Sequence, residues 1–298
     1  MPPARARKGF RPWVEYSTDE IAALQRSGAI AQLVAVLPVA AVESHGPHLP
    51  LGVDAMINAA ILEAAADRIA PAVLAAALPA QAVGVSPEHA AFPGTLTLPP
   101  EVAIASWRAI GDSLAAAGVR RLVIFNSHGG NPPICEIVAL DMRVRHAMLA
   151  AVAETWRLMT AEGRLPAAEL KHGIHGGAVE TALIRAIRPD LVREGAVAAF
   201  ASSRRDLAKS APQIGSGKAR LAWMTQDLNP AGAVGDARLA SQALGRALLD
   251  QAADGLAGVI GEVAALPLPA PAATPTPAGA ALRSRDGKAK RRAPSRST

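Results

Sequence analysis

Short apolar runs alternate with longer amphipathic segments along most of the 298-residue chain. Runs rich in Val, Ile, Leu and Ala predict strands at residues 32–39, 73–78, 121–126 and 148–155. Apolar residues at helical spacing predict helices at residues 54–69, 100–117, 133–145 and 178–187. Because this alternation is typical of an α/β fold, we expect a single three-layer domain with a mainly parallel sheet covered by helices on both faces.

A longer helical pattern follows near the C-terminal end. Apolar residues recur at helical spacing from residue 238 to 266, and the pattern ends at Pro267. We interpret this segment as a packing or subunit-contact helix. Ser17 and Glu20 have the spacing of a capping box and predict the start of a short first helix. The predicted organisation is a basic arm at residues 1–12, a folded domain at 13–266 and a disordered, Pro-rich basic tail at 267–298.

Positive charge is concentrated at the two ends of the chain. The formal net charge is +6, and the isoelectric point is about 10.1. Residues before position 12 carry +4 and residues 283–296 carry +6, so residues 12–282 carry −4. An acidic folded body does not favour a specific nucleic-acid partner, and we interpret the basic ends as solvated segments.

Cysteine content and hydropathy bear on where the protein works. The chain has one cysteine, Cys135, which excludes an intramolecular disulfide, and we expect it to pack in a helix rather than act as a nucleophile. The N-terminal residues lack an apolar signal segment, so we predict a cytoplasmic protein. Residues 69–87 are uncharged, but Pro71, Pro79 and Gly84 interrupt them, which favours a buried strand with its loops over a membrane span.

Potential metal ligands follow the first predicted strand. Alternate side chains of an extended chain share a face, so Glu43 and His45 converge. Glycines and prolines at positions 46–52 predict a turn that brings Asp54 back toward them. Carboxylate and imidazole groups are ligands of divalent ions. Taken residue by residue, the same pattern is equally compatible with loop histidines and a helix cap at Asp54.

Two further clusters combine histidine with glycine. His128 comes soon after the predicted strand at 121–126, and the glycines that follow it, Gly129 and Gly130, let backbone N–H groups approach a ligand. His175 and Glu180 flank a glycine pair that leads into the predicted helix at 178–187, whose N-terminus would face the site. Each cluster alone is more often a turn or a cap. Three such clusters in one chain indicate a metal site.

Taken together and in this order, the blocks resemble the creatininase family of amidohydrolases, over residues 33–240. The first family block, E-x-H-G-x-H-L-P-x-x-x-D, is matched by Glu43, His45, Gly46, His48, Leu49, Pro50 and Asp54. The second, N-x-H-G-G-N, is matched by Asn126, His128, Gly129, Gly130 and Asn131. The third, H-A-G-x-x-E-T, is matched by His175, Gly177, Glu180 and Thr181, with Gly176 in place of the alanine. Residues 88–95 resemble the family loop E-H-x-x-F-P-G-T.

The resemblance implies two divalent ions per chain, Zn²⁺, Mn²⁺ or Fe²⁺. By position, Asp54 bridges the ions, His45 binds one of them, and Glu43 with His128 binds the other. Two such ions can hold a hydroxide and polarise a carbonyl group, which amide hydrolysis requires. Glu43, Asp54, Glu180 and a bridging hydroxide would balance the four positive charges, so we expect metal binding to stabilise the fold.

The second block departs from creatininase itself. There a tyrosine and a metal-binding glutamate follow the histidine, and this chain has Gly129 and Gly130 in those places. We expect Glu180 to supply the missing carboxylate and His175 to act as the general acid toward the leaving nitrogen. Creatinine is placed in doubt, because the only nearby tryptophan that could enclose it, Trp156, is predicted at a strand end. Residues expected to be substrate-facing or to support the ligands are His48, His89, Gly129, Gly130 and Asn131.

Two function classes remain open. The first is a metal-dependent amidohydrolase that cleaves a C–N bond of a small amide, cyclic amide, formamide or short peptide. The second is a non-catalytic metal-binding regulatory or interaction protein on the same fold. A proton donor at His175 beside a full ligand set favours the enzyme, because structural metal sites are normally closed by their ligands. The resemblance also implies a homo-oligomer, a hexamer in the family, and a small-molecule amide as the substrate.

Overall fold

A computed structural model describes residues 10–215, 218–219 and 221–270. The strands are β1 (Phe10–Pro12), β2 (Val34–Val39), β3 (Ala75–Ala77), β4 (Arg121–Asn126), β5 (Leu149–Glu154), β6 (Ala199–Phe200) and β7 (Gly235–Asp236). The helices are α1 (Thr18–Ser27), α2 (Val53–Ala66), α3 (Pro100–Ala116), α4 (Pro132–His146), α5 (Ala167–His172), α6 (Ala178–Ile187), α7 (Arg204–Ser210), α8 (Pro212–Gly215), α9 (Thr225–Leu228) and α10 (Gln242–Ala265).

The main sheet has five strands in the order β1-β3-β2-β4-β5, and every neighbouring pair is parallel. Its central strands β2 and β4 are buried along their whole length. The sequences of both strands are largely continuous apolar runs, because a parallel sheet of this kind is covered on both faces. Strands β6 and β7 form a separate antiparallel pair of two residues each.

Alternate strand residues enter two hydrophobic cores. Val34 and Val36 of β2 pack with residues of α2, α6 and α10 on one face. Ala35 and Leu37 pack with residues of α3 and α4 on the other face. The three-layer α/β fold with a parallel sheet predicted from the sequence is therefore confirmed.

The predicted elements agree closely with the observed ones. β4 and α6 have the predicted bounds, and α2, α3 and α4 differ from theirs by at most three residues at either end. The capping box of α1 is present, since the Glu20 N–H donates to the Ser17 hydroxyl and the Ser17 N–H donates to the Glu20 carboxylate. The C-terminal pattern forms α10, which packs against α2 and α6, so it is a packing helix.

The N-terminal boundary lies earlier than predicted. Phe10 to Pro12 form β1 at the edge of the sheet, and Phe10 is buried in the core next to α2. The predicted basic arm at 1–12 thus contributes its last three residues to the sheet, because pairing with β3 and burial of Phe10 outweigh the local polarity. The predicted tail lies outside the described residues from position 271 onward. Among the described helices, none combines the length and apolar character needed to cross a membrane.

Candidate metal centre and cavity

The three sequence blocks meet at the carboxyl edge of the parallel sheet. Glu43 and His45 follow β2, and His128 follows β4, so parallel pairing of these two strands brings their ends together. Asp54 is in the first turn of α2, where Gly52, not an acidic side chain, occupies the N-cap position. Glu180 is in the first turn of α6.

Asp54 lies between two histidines. Its Oδ1 is 3.2 Å from His45 Nε2, and its Oδ2 is 3.1 Å from His128 Nδ1. The exposed fractions of the three residues are 2%, 1% and 3%, respectively. One carboxylate therefore faces two imidazoles with two different oxygens, which is the arrangement expected of a bridging ligand.

The remaining carboxylates extend this arrangement on each side. Glu43 Oε2 is 3.1 Å from His128 Nδ1, and Glu180 Oε1 is 3.7 Å from His45 Nε2. Two groups of three donors result, one of Glu43, Asp54 and His128 and one of His45, Asp54 and Glu180, and the donor atoms of each group lie within 4.8 Å of one another. The structure thus brings together all five predicted ligands.

The donor atoms fit divalent ions. Within the described chain, His45 Nε2 and Asp54 Oδ2 are buried, and each has an oppositely charged neighbour within 3.2 Å but no well-directed hydrogen bond. Buried polar atoms without a well-directed hydrogen bond are costly unless a ligand engages them. Imidazole nitrogens with carboxylate oxygens suit Zn²⁺, Mn²⁺ and Fe²⁺. A third group, of Glu43, His45 and His175, also has the spacing of a metal site.

The electrostatics of the cluster favour positive charge. Burial acts to lower the pKa of His45, but Asp54 and Glu180 raise it well above its ordinary value. Burial likewise opposes protonation of His128, yet Glu43 and Asp54 raise its pKa well above the ordinary value. Burial acts to raise the pKa of Glu180, and His45 lowers it to about 2. The protein therefore carries closely spaced anions that require cationic partners.

His175 lies beside the cluster with one nitrogen engaged. Its Nε2 is 2.6 Å from the carbonyl oxygen of Ser44, and its Nδ1 is 3.7 Å from Glu43 Oε1. The His175 ring also lies 4.2 Å from the rings of His45 and His89, measured between centroids. Burial and the neighbouring His45 lower the pKa of His175. The imidazole therefore holds Nε2–H against Ser44 and turns an unprotonated Nδ1 toward the centre.

A cavity of about 640 Å³ opens on this cluster. The cavity-facing members of the cluster are Glu43, Asp54, His128, His175 and Glu180. Apolar and aromatic side chains form much of the remaining wall, among them Ile57, Met159, Leu170, Ile174, Leu183, Trp156 and Trp223. Small-molecule sites usually combine a mostly apolar lining with a few polar groups, as this cavity does.

The five residues predicted to face substrate or support the ligands divide into two groups. His89 and Gly129 line the cavity. Asn131 instead connects the loop after β2 to the loop that contains Val85. Its Oδ1 accepts from the Val85 N–H, and its Nδ2 donates to the Ala40 carbonyl. His48 is fully buried, and its Nε2 is 2.9 Å from the Thr181 hydroxyl.

Gly130 also lies behind the cavity floor. A Cβ at this position would be 2.5 Å from both His128 Nε2 and the Val85 carbonyl. This close approach leaves no room for a side chain at position 130. Gly130 therefore packs directly against His128, Asn131 holds the neighbouring loops and His48 contacts Thr181 of α6. Contact with substrate stays a prediction for His89 and Gly129.

Several residues in or next to the cavity were not predicted. Glu88 Oε1 lies 3.6 Å from His128 Nε2, and the Ser86 hydroxyl donates to Glu43. Glu88 belongs to the segment 88–95 that resembles a family loop, and Ser86 lies two residues before it. Trp223 and Glu169 also line the cavity, but they lie outside every matched block, so local sequence gave no indication of them.

Comparison with known families supports the resemblance. The family described as "Creatininase: Creatinine amidohydrolase" matches residues 15–260. A "Mycofactocin precursor peptide peptidase" from Mycobacterium ulcerans (strain Agy99) is 29% identical over 226 residues, which is 74% of this chain and 81% of the relative. A "Creatinine amidohydrolase" from Pseudomonas putida is 29% identical over 181 residues, which is 55% of this chain and 68% of the relative.

Solved structures agree with the fold. "Creatininase Mn" superimposes with a TM-score of 0.68 at 25% identity and covers 87% of this chain and 100% of its own. A mutant creatininase of "Zn-Zn type" gives a TM-score of 0.68 at 25% identity, with 88% of this chain and 100% of the other covered. The names of these two proteins refer to the divalent ions that the donor set described above would suit.

Proposed function

Because the chain belongs to the creatininase family, we propose that it is a metal-dependent amidohydrolase acting on a C–N bond of a small amide, cyclic amide, formamide or short peptide. The observation that carries this proposal is the position of Asp54, which faces His45 and His128 at the floor of a cavity of about 640 Å³. The non-catalytic alternative is less well supported, since a purely structural metal site needs no cavity beside it.

Two divalent ions per chain are part of this proposal. Glu43, Asp54 and His128 would hold one ion, and His45, Asp54 and Glu180 would hold the other. When bound, such a pair lowers the pKa of water and polarises a carbonyl oxygen. Zn²⁺, Mn²⁺ and Fe²⁺ all match the donor set.

We assign proton transfer to His175. Its Nε2–H is held by the Ser44 carbonyl, so the ring is oriented with Nδ1 toward Glu43 and the centre. Nδ1 can take a proton from the attacking water and give it to the leaving nitrogen while the C–O bond forms and the C–N bond breaks. One water is consumed, and an acid and an amine are formed, as two products from an open-chain amide or within one molecule from a cyclic amide.

The cavity wall supports an uncharged substrate. Of the described residues, those lining the cavity include no lysine or arginine that could bind a substrate carboxylate. Trp156 and Trp223 offer flat apolar surfaces instead. Two of the relatives named above are called a peptide peptidase and an amidohydrolase of creatinine, and both names fit a substrate whose reacting group is a neutral amide.

A hydrolysis screen tests the proposal. Metal-free protein, reloaded with Mn²⁺ or Zn²⁺, would be offered formamides, lactams and short peptide amides, with release of amine measured. We expect turnover of at least one class, and its loss in Glu43→Gln. Glu162→Gln is the matched control, because Glu162 is exposed and lies outside the cavity lining. Two ions bound without turnover of any class would favour the non-catalytic alternative.

We further propose that the protein works in the cytoplasm as a homo-oligomer, a hexamer by its resemblance to the family. Ile137, Leu140 and Val144 on α4 support assembly, since they lie along one side of the helix and are 44%, 63% and 60% exposed. A second copy of the chain would cover this apolar strip. Sedimentation velocity gives the test, and a monomer at micromolar concentration would contradict the proposal.

A further inference from the structure

Glu169 is a buried carboxylate outside the three sequence blocks. It lies in α5, is 3% exposed and lines the cavity. Each of its oxygens accepts a backbone N–H: Oε1 from Ala178 at 2.9 Å and Oε2 from Asp236 at 2.8 Å. Both oxygens are therefore occupied by the protein's own backbone, and the carboxylate has structural partners rather than a free face.

One N–H group belongs to the segment that carries His175, and the other belongs to the segment that carries Val234, with which His175 pairs. Ala178 is the first residue of α6, three residues after His175, and Asp236 is in β7, two residues after Val234. His175 and Val234 pair with each other through two backbone hydrogen bonds, of 3.2 and 2.6 Å. Glu169 thus joins the same two segments just beyond this pair. Its negative charge at the start of α6 also complements the helix dipole.

Three glycines leave room for this carboxylate. A Cβ at Gly173, Gly177 or Gly235 would be 2.1, 2.6 or 2.7 Å, respectively, from Glu169 Oε1. The Glu169 side chain is therefore in close contact with three parts of the backbone, namely the end of α5, the start of α6 and strand β7. A hydrocarbon side chain of the same size would fill the space but would leave the buried Ala178 N–H and the half-buried Asp236 N–H without this partner.

We propose that Glu169 is a positioning residue that fixes the start of α6 and thereby sets Glu180 and His175 relative to Asp54 and His45. This inference rests on the proposed two-ion centre. Glu180 is the third residue of α6, and the Gly176 N–H donates to its carboxylate. A shift of the first turn of α6 therefore moves one ligand set while the set of Glu43, Asp54 and His128 stays in place.

Glu169→Gln tests this role with little change in volume. The amide keeps one acceptor and turns an NH₂ donor toward a backbone N–H. By calorimetric Mn²⁺ titration of metal-free protein, we expect the ion at His45, Asp54 and Glu180 to bind about 10- to 100-fold more weakly, as for other residues that orient ligands. The ion at Glu43, Asp54 and His128 should bind as in the wild type. Glu162→Gln serves as the exposed control.

A second variant covers the case in which Glu169→Gln does not fold. Gly177→Ala keeps the carboxylate but places a methyl group against Oε1, so we expect the same selective weakening of one ion. Gly195→Ala is its control, because a Cβ there meets no atom within 4 Å.

Two outcomes would overturn the inference. Unchanged affinities for both ions would show that Glu169 only fills space, and equal weakening of both ions with a lowered melting temperature would show a general structural role. Because the titration does not depend on turnover, it stays informative even if no amide substrate is found. A failure of the hydrolase proposal and a failure of this inference are therefore distinguishable.

Discussion

At the scale of single residues, His175 separates catalysis from metal binding. Its Nε2 is held by Ser44, and its Nδ1 faces the ligand cluster. His175→Ala should keep both ions and lose about 10²- to 10⁴-fold in turnover, because proton transfer to the leaving nitrogen is removed. The deficit should shrink for an ester or anilide whose leaving group needs no proton. Loss of an ion from His175→Ala would instead identify His175 as a ligand in the third donor group.

Glu180 has two contacts that imply different roles. Its Oε1 lies 3.7 Å from His45 Nε2, and its Oε2 accepts from the Gly176 N–H. If the first contact marks a metal ligand, Glu180→Gln should lower the occupancy of one ion and leave the other filled, as measured by mass spectrometry of metals in dialysed protein. Full occupancy with full activity would mean that Glu180 only caps the start of α6.

The site residues were predictable where they are close in sequence to a strand end. Glu43, His45 and His128 follow β2 and β4, and elementary strand geometry places them at one edge of the sheet. Glu169 was not predictable, because its partner Asp236 is 67 residues away and belongs to a two-residue strand. Trp223 was not predictable as a cavity residue either, because only the tertiary fold brings it to the cavity.

At the scale of elements, strong apolar runs determined what could be predicted. β4 and α6 have the predicted bounds because each is a continuous or periodic apolar segment bordered by polar or glycine residues. β1 was missed because three residues containing Arg11 and Pro12 show no strand periodicity. Its strand character comes from pairing with β3, which is distant in sequence.

The crossing of α10 and α6 gives a prediction about packing. A Cβ at Gly245 would lie 1.9 Å from the carbonyl oxygen of Ala182, so the two helices approach through a glycine. Gly245→Ala should lower the free energy of unfolding by about 1–3 kcal/mol through overpacking. Urea denaturation measures this change.

Gly258 provides the control on the same helix. A Cβ there meets no atom within 4 Å. Gly258→Ala should therefore raise the free energy of unfolding by up to about 1 kcal/mol, since alanine favours the helix over glycine. Equal effects of the two substitutions would show that the α10 to α6 contact is looser than described.

At the scale of the whole molecule, the cluster of buried and half-buried anions links metal binding to stability. Glu43, Asp54 and Glu180 lie close together at the end of the sheet, and a divalent ion bound only by the folded state stabilises that state. Metal-free protein should melt at a lower temperature, and the melting temperature should rise with Mn²⁺ concentration. A melting temperature independent of Mn²⁺ and Zn²⁺ would argue against a buried metal centre.

The metal content of Asp54→Ala tests the central claim most directly. Asp54 faces His45 and His128 with separate oxygens, so the account requires it to hold both ions. Wild-type protein purified without chelator should contain close to two divalent ions per chain, and folded Asp54→Ala should contain close to none. Asp190→Ala, at an exposed position outside the cavity lining, should retain both ions. Two ions retained in Asp54→Ala, or none in the wild type after reloading, would contradict a dinuclear centre bridged by Asp54.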